Sequence, residues 1–408
     1  MVKSDKVKIC VIRLGYFPWD SRVSKEVHAL FSAGYVVSVI CLRKAGQSFT
    51  EVVDGVRVYR LPILNRRGSR ILYLCNNVLA LSMVTVIISV LHFRYRFDLI
   101  QVNTMPDALV FTTLIPRLLG AKVLLDMQEP IPELWITKYG AKPFATIVKL
   151  LIMIEQWSIK YANRVITVNE KIRKRFIERG ANGCKIDVIR NVPEEDVYEN
   201  VNLSRAPKEF ILITHGTIVE RYGHEVIIRA LPILRNTINS LKLYIVGDGE
   251  YKQKIVDLCN QLGCSDSVIF TGLVPLEQVY RYIQGSDVGL VPIQMSPFAD
   301  LCQPNKLFDY IALRKPVITS RLKAIEESFD DSCVQFFESD SPEDLARCIL
   351  ELYFNPDKGK TLAENAYKQY EKLRWSETKK VYLGIVQELI EGKEVDSDTV
   401  KSFSCSAQ

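Results

Sequence analysis

The sequence has no pair of cysteines at the two-residue spacing that zinc sites and dithiol redox sites use. Its ten cysteines are scattered, and Cys259 and Cys264 flank "NQLG", where we expect a helix to end, so a metal role there is not favoured. A secretory signal is also missing from the opening "MVKSDKVKICVIRL", which leads directly into a strand pattern. These absences predict a cytoplasmic protein with reduced thiols.

Strong charge of one sign is lacking as well. The formal net charge is +6 over 408 residues, which does not favour nucleic acid as a partner. Lysine and arginine are nevertheless concentrated between Ile136 and Arg179, where glutamates are few. We expect one basic face in the N-terminal half, which suits either plain solvation or a peripheral position on the anionic, cytoplasmic face of a membrane.

One long apolar run stands out from an otherwise ordinary composition. "ILYLCNNVLALSMVTVIISVLHF", from Ile71 to Phe93, approaches the length of a membrane span. Asn76 and Asn77 would be costly in lipid, and arginines flank both ends, so no asymmetry of charge favours a crossing. We predict a fully buried core helix, with a helix partly exposed to lipid and a true span as the alternatives.

The chain is too long for one ordinary core, and short apolar strand patterns alternate with helical patterns in two successive series. Strands such as "KICVIRL" and "EFILITH" are typical of parallel sheets covered by helices on both faces. We predict an α/β protein with two Rossmann-like, doubly wound domains over 1–195 and 205–372, and a ligand site in the cleft between them. A C-terminal helix over 373–392 is a candidate for packing back on the first domain, and the tail 393–408 is expected to be disordered.

Lys306 occupies an unusual position in "CQPNKLFDYIALRKPVITS". Pro304 predicts a helix start, so Lys306 falls in the first turn, where the helix dipole already presents positive charge. A bound phosphate would make that placement favourable, because the free N–H groups and the ammonium would both attract it. Asp309, one turn later, suits the hydroxyls of a sugar. The alternative is a surface lysine paired with Asp309.

A second candidate site lies in "ITHGTIVERYGHEVIIRA". Gly216 and Thr217 follow a strand, and Arg221 lies in the loop before a helix expected to start near Gly223. Small residues with an arginine at a strand end suit a diphosphate, because guanidinium binds phosphate oxygens in pairs. A solvated loop arginine is the alternative.

The first half offers two more candidate segments. In "VIRLGYFPWDSR", Gly15 permits close approach of the backbone, and Asp20 with Arg22 suits either helix capping or contact with a ligand.

In "LLDMQEPIPELW", Asp126 ends a buried strand and is followed by Gln128, Glu129 and Glu133. Carboxylates there suit binding of hydroxyls or service as a base, and Glu133 suits helix capping equally well.

Together, "HGTIVERYG", "VGDG", "PNKLFDYIALRKPVI" and a last helix led by Trp375 resemble the retaining glycosyltransferases of the GT-B fold, which include bacterial cell-surface mannosyl- and N-acetylglucosaminyltransferases. "DSRVSKEVHALFSAG" and "LLDMQEPIPELW" resemble their N-terminal half, and the resemblance runs from about Lys6 to Leu389. It implies transfer of a sugar from a nucleotide diphosphate, UDP before GDP, to a lipid-linked or glycan acceptor in cell-surface glycan synthesis. The C-terminal domain would hold the donor and the N-terminal domain the acceptor.

The resemblance also implies roles for single residues. Arg221 and Lys306 match groups on the diphosphate, and Asp309 matches a contact with the ribose. The donor-binding set is completed by Gly15, Gly216, Thr217, Val274, Gln303, Asn305 and Leu307, and the acceptor-side candidates are Asp20, Arg22, Glu129 and Glu133.

Two positions depart from the family pattern. Leu301 stands where a glutamate is usual, so Asp300 or the backbone from Gln303 to Asn305 must contact the sugar. Gln128, a third catalytic candidate, stands in the place of a frequent histidine.

The family precedent implies a front-face displacement in which the donor's own phosphate oxygen takes the acceptor proton. The protein then stabilises charge on the leaving diphosphate, with no nucleophile, no cofactor and no metal, and no D-x-D follows a buried strand in the first half. Two alternatives stay open. One is a nucleotide-sugar 2-epimerase of the same fold, and the other is a nucleotide-sugar-binding subunit without catalysis, which Leu301 and Gln128 would fit.

Overall fold

A computed structural model describes residues 6–63, 70–195 and 209–392, with no side chains described over 70–75. The chain divides into two bodies, one formed by Met1–Arg190 with Thr378–Gln408 and the other by Asn191–Glu377. The division thus falls a few residues before the expected limit at 195, and the chain returns to its first body at the C-terminal helix. The tail 393–408, expected to be disordered, lies outside the described residues.

Within the described part of the first body, an eight-stranded sheet has the order β3-β4-β2-β1-β5-β6-β7-β8. Its strands are β1 (Lys8–Arg13), β2 (Val36–Leu42), β3 (Thr50–Val53), β4 (Val56–Leu61), β5 (Leu99–Asn103), β6 (Lys122–Met127), β7 (Arg164–Thr167) and β8 (Ile186–Val188). Its helices are α1 (Ser21–Ser32), α2 (Arg70–Tyr95), α3 (Leu114–Leu118), α4 (Ile131–Tyr139), α5 (Thr146–Tyr161) and α6 (Glu170–Glu178), with a 3-10 segment at Asp107–Thr113.

All neighbouring strands of this sheet are parallel except β3 and β4, which form an antiparallel hairpin at the sheet edge. The hairpin turns at Asp54 and Gly55, both with positive φ, as an Asp-Gly turn between twisted strands requires. The central strands are buried on both faces, which explains their continuous apolar runs.

The described part of the second body contains a six-stranded sheet of order β11-β10-β9-β12-β13-β14, with every pair parallel. Its strands are β9 (Phe210–His215), β10 (Leu241–Val246), β11 (Val268–Gly272), β12 (Val288–Val291), β13 (Val317–Ser320) and β14 (Gln335–Phe337). Its helices are α7 (His224–Arg235), α8 (Lys252–Gln261), α9 (Leu276–Gly285), α10 (Asn305–Ala312), α11 (Lys323–Glu326), α12 (Pro342–Phe354) and α13 (Pro356–Glu371). Two doubly wound parallel sheets confirm the predicted fold class.

Helix α14 (Trp375–Glu391) carries the chain back to the first body. Tyr382 on this helix is fully buried, and its hydroxyl donates a 2.6 Å hydrogen bond to the Oε1 atom of Gln101 on β5. The C-terminal helix is therefore part of the core of the first body.

The prediction of a fully buried helix at Ile71–Phe93 is wrong. Val84 and Ile88 of α2 are buried, but Val86 on the outer side is 62% exposed and Phe93 is 57% exposed. By length and composition the stretch Asn76–Tyr95 is apolar enough to span a membrane, and about a third of it, 33%, is buried. Because α2 connects β4 to β5 of one sheet and packs its inner side on that domain, the helix lies along the first body as a crossover whose outer side is also largely apolar.

Candidate functional site

The residues that the sequence singled out in the second body meet at the carboxyl edge of its sheet. Strands β9 and β12 are neighbours there, although they are far apart in sequence, so the winding of the sheet changes direction between them. Loops that leave such adjacent strand ends diverge and form the usual ligand crevice of a parallel sheet. The loop after β9 carries Gly216 to Gly223, and α10 begins beyond β12.

Helix α10 begins where the sequence predicted. Pro304 is the N-cap residue, and no side chain in the described structure caps the first turn. The helix lies close on β12 because Gly289 has no side chain: a Cβ there would come within 2.5 Å of the Tyr310 ring. The Tyr310 hydroxyl in turn donates a 3.3 Å hydrogen bond to the Ile213 carbonyl on β9. These contacts fix the uncapped helix start beside the end of β9.

Lys306 is buried in this helix start, with only 6% of the residue exposed. The interpretation of Lys306 as a surface lysine is therefore wrong. Its ammonium lies 3.4 Å from the Thr214 hydroxyl, a long hydrogen bond that compensates little of the lost hydration. Burial lowers the pKa of Lys306 to about 8, although the nearby Asp309 carboxylate favours the charged form.

The buried His224 and the half-buried His215 stand near Lys306, and neither carries charge at neutral pH. Burial, with a smaller effect of the Lys306 charge, lowers the pKa of both His215 and His224 to about 3. His224 opens α7 and is 1% exposed, and its ring makes at most a weak hydrogen bond, to the Val219 backbone. A neutral imidazole can donate one N–H, so both rings can supply a donor to an anion.

Asp309 lies one turn beyond Lys306 and is 9% exposed. Its Oδ2 atom is 3.4 Å from Nε2 of His215, and its Oδ1 atom accepts a 3.4 Å hydrogen bond from the Tyr280 hydroxyl. A carboxylate has about four acceptor sites, which suits a contact with a ribose hydroxyl.

The loop after β9 brings Arg221 to the same place. Gly223 ends a short 3-10 turn with φ of +66°, and a Cβ there would lie 1.6 Å from the Pro292 carbonyl oxygen, so only glycine fits. The guanidinium of Arg221 and the ammonium of Lys306 lie 5.0 and 5.2 Å from the centroid of one ring, Tyr222. The structure therefore brings the two predicted cations together around an aromatic side chain.

The other donor-side predictions have mixed outcomes. Gly216 and Thr217 are exposed at the end of β9, Val274 is half-buried in the turn after β11, and Asn305 is exposed at the helix start. The side-chain amide nitrogen of Gln303 donates to the Ala324 carbonyl and the Ser328 hydroxyl, so this NH2 group is committed to the protein.

Leu307 cannot serve as a donor contact. Its side chain is fully buried, and its amide donates to the Pro304 carbonyl. Leu301, where the family has a glutamate, is buried, and the neighbouring Asp300 carboxylate accepts a 2.9 Å hydrogen bond from Lys323.

In the first body, the prediction that Arg22 contacts an acceptor is wrong. Arg22 is 1% exposed, and its guanidinium donates to both carboxylate oxygens of Asp126 at 2.9 and 2.8 Å and to the Ile189 carbonyl. Glu26 lies 3.2 Å from the same guanidinium, and burial raises the pKa of Glu26 to about 7 against the opposing effect of Arg22. Arg22 is therefore a buried structural centre of the first body, held by Asp126, Glu26 and the Ile189 carbonyl.

Glu133 is also structural: it is buried and accepts a hydrogen bond from Arg179, so neither predicted role, capping nor contact with hydroxyls, applies. Asp20 caps α1 through the Val23 amide and accepts a hydrogen bond from Arg13. Capping, rather than ligand contact, is therefore what the structure shows for Asp20.

The remaining candidates of the first body lie in turns after strands. Gln128 donates a 2.8 Å hydrogen bond to the buried Asp126 carboxylate, and Glu129 follows it, half-buried. Gly15 is half-buried after β1, and its carbonyl accepts a hydrogen bond from Leu42.

The sequence patterns did not identify Thr214, His215 and His224 as neighbours of Lys306. The first two end β9, and the third begins α7, so their places at a strand end and a helix start are the signal that could have identified them.

Comparison with known families divides the chain in the same way. Residues 21–192 match the family described as "Glycosyl transferase 4-like domain", and residues 199–369 match the family described as "Glycosyl transferases group 1". Together the two matches cover both bodies of the fold.

Among curated proteins, an uncharacterized glycosyltransferase of Methanocaldococcus jannaschii is 25% identical over 225 residues, which are 52% of this chain and 53% of that protein. The chain spans about half the length of the curated relatives it matches. Among solved structures, sucrose-phosphate synthase from Thermosynechococcus elongatus superposes with a TM-score of 0.74 at 17% identity, covering 95% of this chain and 100% of that one. Anabaena HepE in complex with UDP-glucose superposes with a TM-score of 0.68 at 14% identity, covering 93% and 99%. These likenesses confirm the GT-B fold.

Proposed function

A chain made of a glycosyl transferase 4-like domain followed by a glycosyl transferases group 1 domain has the fold of GT-B glycosyltransferases, and from that premise we propose that it transfers a sugar from a nucleotide diphosphate. The donor is a UDP-sugar before a GDP-sugar, and the solved structure of HepE with UDP-glucose supports that order. The acceptor is a lipid-linked sugar or a glycan of the cell surface, and the sugar keeps its anomeric configuration.

One observation carries the proposal: the buried ammonium of Lys306 stands in the first turn of an uncapped helix. Burial of a cation is costly unless an opposite charge compensates it, and the helix dipole adds to that cost at this end. Arg221 increases the positive potential further, through the shared Tyr222 ring. A diphosphate bound at this edge of the sheet would compensate the buried ammonium, the positive end of the helix dipole and the charge of Arg221, because it brings negative charge and hydrogen-bond acceptors.

The same groups suit the chemistry of transfer. When the bond between sugar and diphosphate breaks, negative charge grows on the leaving oxygen, and Lys306, Arg221 and the helix amides are placed to stabilise it. Asp309 would accept from the ribose, and the His215 and His224 rings would donate to phosphate oxygens. In this mechanism a donor phosphate oxygen takes the acceptor proton, so the protein supplies neither nucleophile nor base. Lys306 and Arg221 supply the positive charge that a metal ion would otherwise provide to the leaving diphosphate.

The first test measures turnover of radiolabelled UDP-sugars and GDP-sugars by the purified chain, with and without lipid and glycan fractions. We expect slow release of free nucleotide without acceptor and faster release, with labelled product of retained configuration, when the right fraction is added. Excess EDTA should leave both rates unchanged, because no metal takes part.

Other outcomes of this assay would overturn the proposal. An epimerised donor without acceptor would identify a 2-epimerase. Donor binding by calorimetry with no turnover against any fraction would identify a binding subunit without catalysis, and loss of turnover in EDTA would contradict the metal-independent mechanism.

The affinity for UDP should fall as the pH rises above about 8. UDP binds the form of the protein in which Lys306 is protonated. The bound diphosphate therefore raises the pKa of Lys306 above the value of about 8 that burial gives it. Between the two pKa values binding therefore takes up one proton, so affinity falls by about tenfold for each pH unit. Calorimetric titration of UDP from about pH 7 to about pH 9.5 measures this slope.

Lys306→Arg is the matched control for the pH profile, because guanidinium keeps its proton throughout that range. Its affinity should be flat where that of the native chain falls. A flat profile for the native chain would show that Lys306 does not meet the diphosphate.

A further inference from the structure

Helices α2, α3 and α5 lie together on the first body, joined by a 3-10 segment. Helix α2 packs against the 3-10 segment Asp107–Thr113 and against α3, and α5 packs against the same 3-10 segment. Phe111 of that segment meets the Tyr161 ring of α5 edge to face, and Arg117 of α3 stacks over the same ring at 4.3 Å. The outer sides of α2, α3 and α5 therefore belong to one surface, which we call the α2–α3–α5 face.

The α2–α3–α5 face is apolar to an extent that is unusual for exposed helices. Its exposed large apolar side chains occur at helical spacing along α2 and α5 and throughout α3. Those with about half or more of their surface exposed are Val78, Leu79, Val86, Val90, Phe93, Leu114, Leu118 and Trp157, together with Phe144 two residues before α5.

The exposed charges along the helices of this face have a single sign, and the exposed Asp98, three residues beyond α2, accepts a hydrogen bond from the Lys8 amide. Over the described stretches 76–96, 107–122 and 138–161, the acidic residues are Asp107 and Glu155, and they are 3% and 0% exposed. The exposed charged residues of these stretches are Arg94, Arg96, Lys138, Lys142, Lys149 and Lys160. An apolar centre accompanied only by cations is the pattern of a surface that rests on anionic headgroups.

We propose that the α2–α3–α5 face docks on an anionic lipid bilayer, with its apolar side chains in the headgroup boundary and its cations against lipid phosphates. Pairing with a second copy through this face is disfavoured, because a twofold interface sets the same patch against itself and would oppose lysine to lysine. Helix α2 would lie in the plane of the membrane, since its inner side belongs to the core of the first body. Lys and Arg side chains are long enough to reach phosphates while their stems cover apolar surface.

Two arginines of α6, Arg173 and Arg175, do not share this role. Arg173 donates to the Ile186 and Gly183 carbonyls, and the Arg175 guanidinium lies 3.8 Å from Glu133, so both hold α6 to its own body. Charge reversal on α6 would disturb the fold as well as any membrane contact, and the test uses other residues.

The test is co-sedimentation of the full chain with vesicles of pure phosphatidylcholine and of phosphatidylcholine with about 30% phosphatidylglycerol. We expect at least tenfold stronger partition onto the anionic vesicles. The apolar variant V86S/L118S/W157S changes one exposed residue in each helix, and the charge variant K142E/K149E/K160E reverses three exposed lysines. Each should weaken partition by about tenfold or more.

Matched controls carry equal changes on the second body: L273S/M295S/F354S for exposed apolar residues and K254E/K368E/K372E for exposed lysines. They should partition as the native chain does. Failure of the native chain to bind anionic vesicles, or native-like binding by both face variants, would overturn the proposal. So would a native dimer in analytical ultracentrifugation that the face variants convert to monomer. No nucleotide sugar enters the assay, so its outcome is independent of the proposed transfer reaction.

Discussion

Replacing Lys306 with methionine should lower the turnover of the nucleotide sugar by at least about a hundredfold, the usual loss when one preorganised charge-stabilising group is removed. The effect should appear in kcat more than in KM, because charge on the leaving diphosphate grows as the bond breaks. Steady-state kinetics with the best donor from the turnover screen would measure both.

The fold should tolerate this change. The charged lysine is disfavoured in the free protein, as its pKa of about 8 against a normal 10.5 shows, so the methionine variant should melt at the same temperature or higher. Lys254→Met, on the exposed side of α8, is the matched control and should keep full turnover. A methionine variant that is folded and fully active would remove Lys306 from the reaction.

Replacing Arg22 with alanine should destabilise the first body by about 3–5 kcal/mol, the cost of leaving a buried partner charge uncompensated. Arg22, Asp126 and Glu26 are all at or below 1% exposure, so water cannot replace the guanidinium. Urea unfolding followed by circular dichroism would measure the loss.

The loss of stability in Arg22→Ala should also become smaller as the pH falls. The folded-state pKa of Glu26, about 7, lies above its unfolded value, so the folded state binds more protons between about pH 4.5 and pH 7 and gains stability as the pH falls. Without Arg22 that pKa rises further, and the deficit of the variant should shrink towards about pH 5. Arg314→Ala, which breaks an exposed pair with Glu364, is the control and should cost no more than about 1 kcal/mol at any pH. A similar small loss for Arg22→Ala would show that water reaches the cluster.

Local sequence patterns were sufficient to predict most of the fold and the start of helix α10. Apolar runs of strand length and helical spacing are set by near neighbours in sequence, and Pro304 marked the helix start within one residue. The β3–β4 hairpin was missed, although the Asp54-Gly55 pair is the usual signal for such a turn.

The errors came from contacts between distant residues. Arg22 looked available beside a helix cap, but its partner Asp126 is 104 residues away, and no local pattern shows that the two meet. Likewise α2 is apolar enough for a core helix, and only the packing of its neighbours decides which side remains outside. The cluster of Thr214, His215 and Lys306 depends on β9 and β12 being adjacent, which sequence order conceals.

The return of the chain at α14 has a consequence for its synthesis. The ribosome must complete the second body before it produces Tyr382, whose hydroxyl bonds to Gln101 in the core of the first. The nascent N-terminal sheet therefore waits, with the Oε1 atom of Gln101 lacking its Tyr382 partner and its neighbouring surface uncovered, while residues 189–381 are made. The earlier body can finish folding only after the later one has emerged, which reverses the usual N-to-C order of domain folding.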